Sequence, residues 1–212
     1  ISVRISCLAW IPAFAGMTKL HIITVTASLL LTACATPAPP VTPTLSFTQY
    51  PVINIDVASI EVVEEYKSPL RSPNVEHLMP YSPAAAMKIW SKDRLKATGS
   101  AKLLQVAIID APVTVTDLPK TQGIKGLFTN DQDKRYDARL EVELRIYGDS
   151  ALSEASTNVV VTRSITIAEN ASVNVRKAAY NQLIFDLMKM LNEKLEKNMQ
   201  EYMNNHINFA NH

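Results

Sequence analysis

From Tyr136 to Tyr147 the chain alternates without a fault. Tyr136, Ala138, Leu140, Val142, Leu144 and Ile146 are separated by Asp137, Arg139, Glu141, Glu143 and Arg145. A repeat of two residues is the period of a strand, because successive side chains there point to opposite faces. One face of this strand meets a core and the other meets water. That is the pattern of an antiparallel sheet covered on one side.

The neighbouring segments extend the sheet. Ala155 to Ile167 is rich in Val, Thr and Ile and reads as a second strand, with Gly148-Asp149-Ser150 as the turn between them. Leu103 to Val115 reads as a strand whose edge or end is marked by Pro112. Ile53, Ile55 and Val57 alternate with Asn54 and Asp56, slip at Ala58-Ser59 and resume at Ile60 and Val62. A bulge accounts for the slip. Lys67 to Tyr81 holds three prolines and reads as a loop, and Asp117 to Lys134 as a long polar loop.

Two helices complete the set. Ser82-Pro83 is a start signal, a hydroxyl cap followed by proline at the first helical position. That helix is expected to run through Trp90 and Leu95 to Gly99, burying Ala86, Ile89, Trp90 and Ala97. The second runs from about Ser172 to Asn205, with Tyr180, Ile184, Leu187, Leu191, Leu195 and Tyr202 at helical spacing. It would reach roughly 50 Å at 1.5 Å per residue, longer than a typical sheet can cover, so its end is expected to overhang and fray. The order β-α-β-β-β-α predicts an α+β, two-layer fold: about four mostly antiparallel strands with both helices on one face.

The first fifty residues read differently. Leu20 to Ala33 is apolar but too short for a bilayer span, which needs about 20 residues, and it contains His21, Thr24, Thr26 and Ser28. Lys19 precedes it and small residues end it, which are the parts of a secretory signal. Its last four residues, Leu31-Thr32-Ala33-Cys34, match the lipobox pattern, and the segment resembles a bacterial lipoprotein precursor. Residues 1–16, which end in WIPAFAG, resemble translated repetitive DNA, so Met17 is the expected start and residues 17–33 the signal peptide. From Ala35 to Pro51 five prolines and many threonines make a tether, giving segments 34–51 (tether), 52–205 (domain) and 206–212 (frayed tail).

The resemblance implies cleavage between Ala33 and Cys34. It also implies a diacylglycerol and a fatty acyl group (palmitate) on Cys34 as the only added groups. Ala35 after the cysteine implies sorting to the outer membrane, on its periplasmic face. The element order is similar to that of envelope lipoproteins that assist lipopolysaccharide and lipid transport. That likeness implies a non-catalytic binding or assembly module with an envelope protein partner.

Composition narrows the alternatives. With 21 basic and 20 acidic residues the charge is nearly balanced, which excludes the basic face of a nucleic-acid binder. The two cysteines are Cys7, in the leader, and Cys34, so no disulfide supports the domain. No His/Cys cluster offers a metal site, and no cofactor is expected. Gly148-Asp149-Ser150 looks like the nucleophile block of GDSL-type esterases, but no Asp-x-x-His follows, and a serine without a positioned base is a weak nucleophile. The alternatives are a lipid-anchored hydrolase using Ser150 and a lipid carrier with an apolar groove. Two further candidates are a partner contact at Leu127 and Phe128, apolar residues inside a polar loop, and a buried ion pair of Asp93 with Arg163, both in apolar register.

Overall fold

The computed structural model describes residues 44–119, 132–148, 152–168 and 170–209. Its frame is a long hairpin. In chain order the strands are β1 (Ile53–Ile55), β2 (Ser59–Glu64), β3 (Leu95–Ala97), β4 (Leu103–Asp110), β5 (Val113–Asp117), β6 (Gln132–Tyr147), β7 (Ser153–Ala168) and β8 (Ile207–Phe209). The helices are α1 (Pro83–Arg94) and α2 (Val173–Tyr202). Strands β6 and β7 pair antiparallel along their whole length, with Leu140 opposite Val161 and Glu141 opposite Val160.

The free edge of β6 is shared. Strand β4 takes Glu141 to Tyr147, and β5 takes Lys134 to Ala138. Between them the chain steps at Ala111-Pro112, where proline has no amide to give. The Arg139 N–H still donates to the Pro112 carbonyl at 3.0 Å, so β6 stays bonded through the step. Strand β2 lies parallel to β4. A parallel neighbour needs a crossover, and α1 supplies it. The large sheet thus has five strands, four across because β4 and β5 share one edge of β6, and is mostly antiparallel, as expected.

The alternation of β6 divides the molecule. All six apolar residues from Tyr136 to Ile146 are buried in one core with residues of both helices. The charged set lies on the opposite face and pairs along it: Arg135 with Asp137 at 2.7 Å, Arg139 with Glu141 at 2.6 Å, and Arg145 with Glu143. Partly exposed pairs like these add little stability, about 0–1 kcal/mol each. They keep that face polar.

Both helices start on serine caps. Ser82 accepts the Ala85 N–H at 3.1 Å and Ser172 the Val175 N–H at 3.3 Å. Helix α2 buries Leu183, Leu187, Leu191, Leu195 and Met199 on one stripe. Its polar flank covers part of β7: Lys194 donates to the Val160 carbonyl at 3.1 Å, and Asn198 to the Thr157 hydroxyl at 3.1 Å. No helix among the described residues is long and apolar enough to cross a membrane.

Three expectations change. The slip at Ala58-Ser59 is a change of sheet rather than a bulge. Strand β1 lies in a second sheet, between β3 in parallel and β8 in antiparallel register. Helix α1 ends at Arg94, not Gly99, because Leu95 to Ala97 are drawn out as β3 to pair with β1. Gly99 then passes so close that a Cβ would sit 2.8 Å from the Val57 nitrogen, which leaves room for glycine alone. The segment after α2 does not fray through its start: Met203 is buried and Ile207 to Phe209 form β8.

The docked chain also begins earlier than Val52. Phe47 is buried in the core. Its N–H donates to the Asp93 carboxylate at 2.8 Å, and the Leu45 N–H reaches the Tyr81 hydroxyl at 3.4 Å. Residues 44–51, read as part of the tether, therefore form a strap along α1.

Candidate functional site

Two buried charges stand out among the described residues, and they sit in different places. The first is Glu76. The segment from Glu65 to Tyr81 runs beside β5, where the Val75 N–H donates to the Val113 carbonyl at 2.8 Å and the Val115 N–H to that of Pro73 at 2.9 Å. Prolines keep this stretch from becoming a regular strand. A single turn of 3-10 helix, Glu76–Leu78, turns the Glu76 carboxylate inward, where the residue is 3% exposed.

Its oxygens are well supplied. They accept from the Tyr66 hydroxyl at 2.7 Å, from the Ser68 hydroxyl, and from the Val113 N–H at 3.2 Å. The Tyr66 oxygen in turn accepts from the Asn74 amide at 3.2 Å. Burial pushes the Glu76 pKa up, but the donors from Ser68, Tyr66 and the backbone outweigh it and hold the group below the usual carboxylate range. The Tyr66 phenol is pushed well up, first by burial and then by the carboxylate that it serves.

A cleft of about 170 Å³ opens here, lined by Glu64, Tyr66, Ser68, Glu76, His77 and Ser82. Its chemistry is limited. Ser68 already gives its proton to Glu76, and a carboxylate with a depressed pKa is too weak a base to take it. The cluster closes a loop: it ties Tyr66 and Ser68 to Glu76 and Glu76 to β5.

The second charge is Arg94, 0% exposed at the end of α1. Its Nη1 donates to the Asn192 Oδ1 at 2.8 Å and its Nη2 to Glu196 at 2.5 Å. The Trp90 indole donates to the same Asn192 oxygen at 2.8 Å, and the Asn192 amide to Glu196 at 3.1 Å. The guanidinium lies 5.2 Å from the Tyr50 ring centre and 5.9 Å from that of Trp90, within the range of cation–π attraction. This network joins α1 to α2 beneath the strap. Asn192 and Glu196, at helical i, i+4 spacing, both face α1 for that reason.

The chain matches no family model. No curated protein matches it. Solved structures similar to it include a minor lipoprotein from Acinetobacter baumannii, at 12% identity and a TM-score of 0.34, over 74% of this chain and 99% of that one. A Xanthomonas campestris protein of the DUF330 family is similar at 11% identity and a TM-score of 0.34, over 75% and 96% of the two chains. Likeness of that degree assigns neither an activity nor a family to the chain.

The structure separates the residues expected to pair. Asp93 is half-buried and holds the strap, accepting from Phe47 N–H and, at 3.3 Å, from the Ser46 hydroxyl. Arg163 does stand on the helix side of the sheet, opposite Ala138, but it is exposed and lies 3.6 Å from Asp186 of α2. The buried charge of α1 is the next residue, Arg94. Ala33, Cys34, Leu127, Phe128 and Ser150 lie outside the described residues. Among those described, no group of three His, Cys, Asp or Glu residues is placed to hold a metal ion.

Sequence reasoning passes over both charge clusters. An Arg four residues after a Trp on α1 is the one signal the sequence offers for the Arg94 network. A Glu in a proline-rich loop carries no such signal.

Proposed function

We propose that this chain is an envelope lipoprotein, anchored through Cys34 to the periplasmic face of the outer membrane, and acts there as a non-catalytic binding or assembly module. One observation carries the reading: the apolar run ends in Leu31-Thr32-Ala33-Cys34, and a proline-rich tract follows at once. An apolar core segment would have no reason to end in that order of residues.

The fold suits such a placement. The described body starts at Thr44, so about ten residues separate it from Cys34. In an extended proline-rich form they would reach about 30 Å at 3.1 Å per residue. The polar groups described above are engaged in holding the structure, which supports a binding role over a catalytic one. An envelope protein partner and sorting to the outer membrane are what the resemblance to envelope lipoproteins implies.

Mass spectrometry of the protein from its native cells tests the anchor. The expected N-terminus is Cys34 carrying a diacylglycerol and a fatty acyl group. An unmodified thiol at position 34, still joined to residues 17–33, overturns the reading. Cys34→Ser is expected to leave the leader uncleaved.

A further inference from the structure

Two leucines break the rule of burial on a single loop. Leu70 is 65% exposed and Leu78 is 69% exposed, both between Glu65 and Tyr81. Single exposed leucines need no explanation, but this loop is not loose. Glu76 ties it to Tyr66 and Ser68, and backbone bonds to β5 hold Pro73 and Val75. Ser68 accepts the Leu70 N–H at 3.3 Å. The leucines are therefore presented from a fixed support.

Leu70 is also strained. Its φ is 54°, in the left-handed region that costs a side-chain-bearing residue free energy and that glycine adopts freely. A leucine that is both exposed and left-handed serves no purpose in the core. Strain kept at such a position points to a role outside it.

The strap lies against this loop. Its Phe47 N–H bonds with Asp93 of α1, and two residues earlier the Leu45 N–H reaches the hydroxyl of Tyr81, the last residue of the loop. The described chain therefore begins, at Thr44, next to a side chain of the loop. Cys34 lies about ten residues further back in the sequence. Lys67 and Arg71 are exposed on the same loop, beside Glu65.

We propose that this loop rests on the lipid surface to which the chain is tethered, with Leu70 and Leu78 entering the interface and Lys67 and Arg71 meeting phospholipid headgroups. The proposal rests on the lipid-anchor reading, since the anchor brings the body to a bilayer. Apolar side chains flanked by cations bind bilayer interfaces, more strongly where anionic lipid is present. The contact adds to the acyl anchor and sets the orientation of the body. The open charged face of the sheet then stays available to a partner.

The test places a fluorescent label on Leu70→Cys, Leu78→Cys and, as control, Leu152→Cys. Leu152 is 76% exposed, in the β6–β7 turn at the opposite end of β2. The mature protein from native membranes is incorporated in phosphatidylethanolamine–phosphatidylglycerol vesicles with brominated acyl chains, and its Cys34 is analysed by mass. Labels at 70 and 78 are expected to lose most of their emission while the label at 152 keeps it. Equal quenching at all three sites, or none, with an acylated Cys34 overturns the proposal and leaves the anchor standing.

A bare thiol at Cys34 overturns the anchor. The same labels on a Cys34→Ser chain that begins at residue 34, added to the same vesicles, then decide the loop alone: selective quenching supports it and none overturns it. Crosslinking of positions 70 and 78 to a protein without lipid quenching also overturns it. The Leu70→Ser/Leu78→Ser chain is expected to cosediment less with the vesicles while keeping its urea midpoint, so misfolding is told apart from lost contact.

Discussion

Arg94 and Glu76 are both buried charges, and the chain handles them in opposite ways. Arg94 meets a counter-charge, Glu196, and the faces of Tyr50 and Trp90. Glu76 is held by neutral donors, two hydroxyls and a backbone N–H. An ion can be compensated by charge or by aligned dipoles, but the two solutions bind different things together. The first joins two helices through the core. The second closes one loop at a sheet edge, beside a cleft and two exposed leucines. We read the Arg94 region as support for the fold and the Glu76 region as support for a surface.

Arg94→Ala should have the largest effect. It leaves Glu196, whose side chain is 32% exposed, without its counter-charge and removes the cation beside two rings. Because Glu196 keeps access to water, the cost lies at the low end of that for breaking a buried pair, about 3 kcal/mol, read as a lower urea midpoint at constant slope. A loss as small as that of a surface arginine, within about 0.5 kcal/mol, breaks the comparison. Arg94→Met with Glu196→Leu sharpens it. Removing both charges should recover most of the loss, because Trp90 keeps its Asn192 acceptor.

Glu76→Ala should cost less, about 2–3 kcal/mol, since the stranded donors carry no net charge and the cleft can admit water. Its acid sensitivity distinguishes it further. The folded pKa of Glu76 lies below its ordinary value of 4.5, so in acid the unfolded chain takes up this proton first. The stability it contributes is whole above about pH 4.5 and is lost as pH falls through the lower folded value. Glu76→Gln keeps an acceptor and loses the titration. It should flatten the acid limb of a stability-against-pH curve, which Arg94→Met with Glu196→Leu should not do at this residue. An unchanged acid limb in Glu76→Gln contradicts the assignment.

Much of this frame is legible in the sequence. The hairpin of β6 and β7 rests on local alternation, and both helix starts rest on serine caps, so each shows within a few residues. The three-residue strands β1, β3 and β8 do not, because a period cannot show in so short a run and their pairing is entirely non-local. Helix α1 shows how a small error spreads. Ala84, Ala85 and Ala86 are too alike to fix which side is buried, and the expected stripe falls on Asp93 instead of Arg94. The partners expected for the acidic and basic groups then follow from the wrong face. The parallel pairing of β2 with β4 depends on α1 as crossover, a relation that no single segment carries.

The smallest predicted change is also the most telling for the two regions. Leu70→Gly should raise stability by about 0.5–1 kcal/mol. The relief of a left-handed side chain, roughly 1–2 kcal/mol, exceeds the extra freedom that glycine gives the unfolded chain. Lys102, at φ 70°, has the same backbone strain, but its ammonium pairs with Glu154 at 2.9 Å, so Lys102→Gly should gain less. If the Glu76 loop serves a surface, Leu70→Gly will gain stability and lose association with lipid together. If that loop were only another part of the support, the gain would come with no loss, and the distinction drawn between the two buried charges would have no functional meaning.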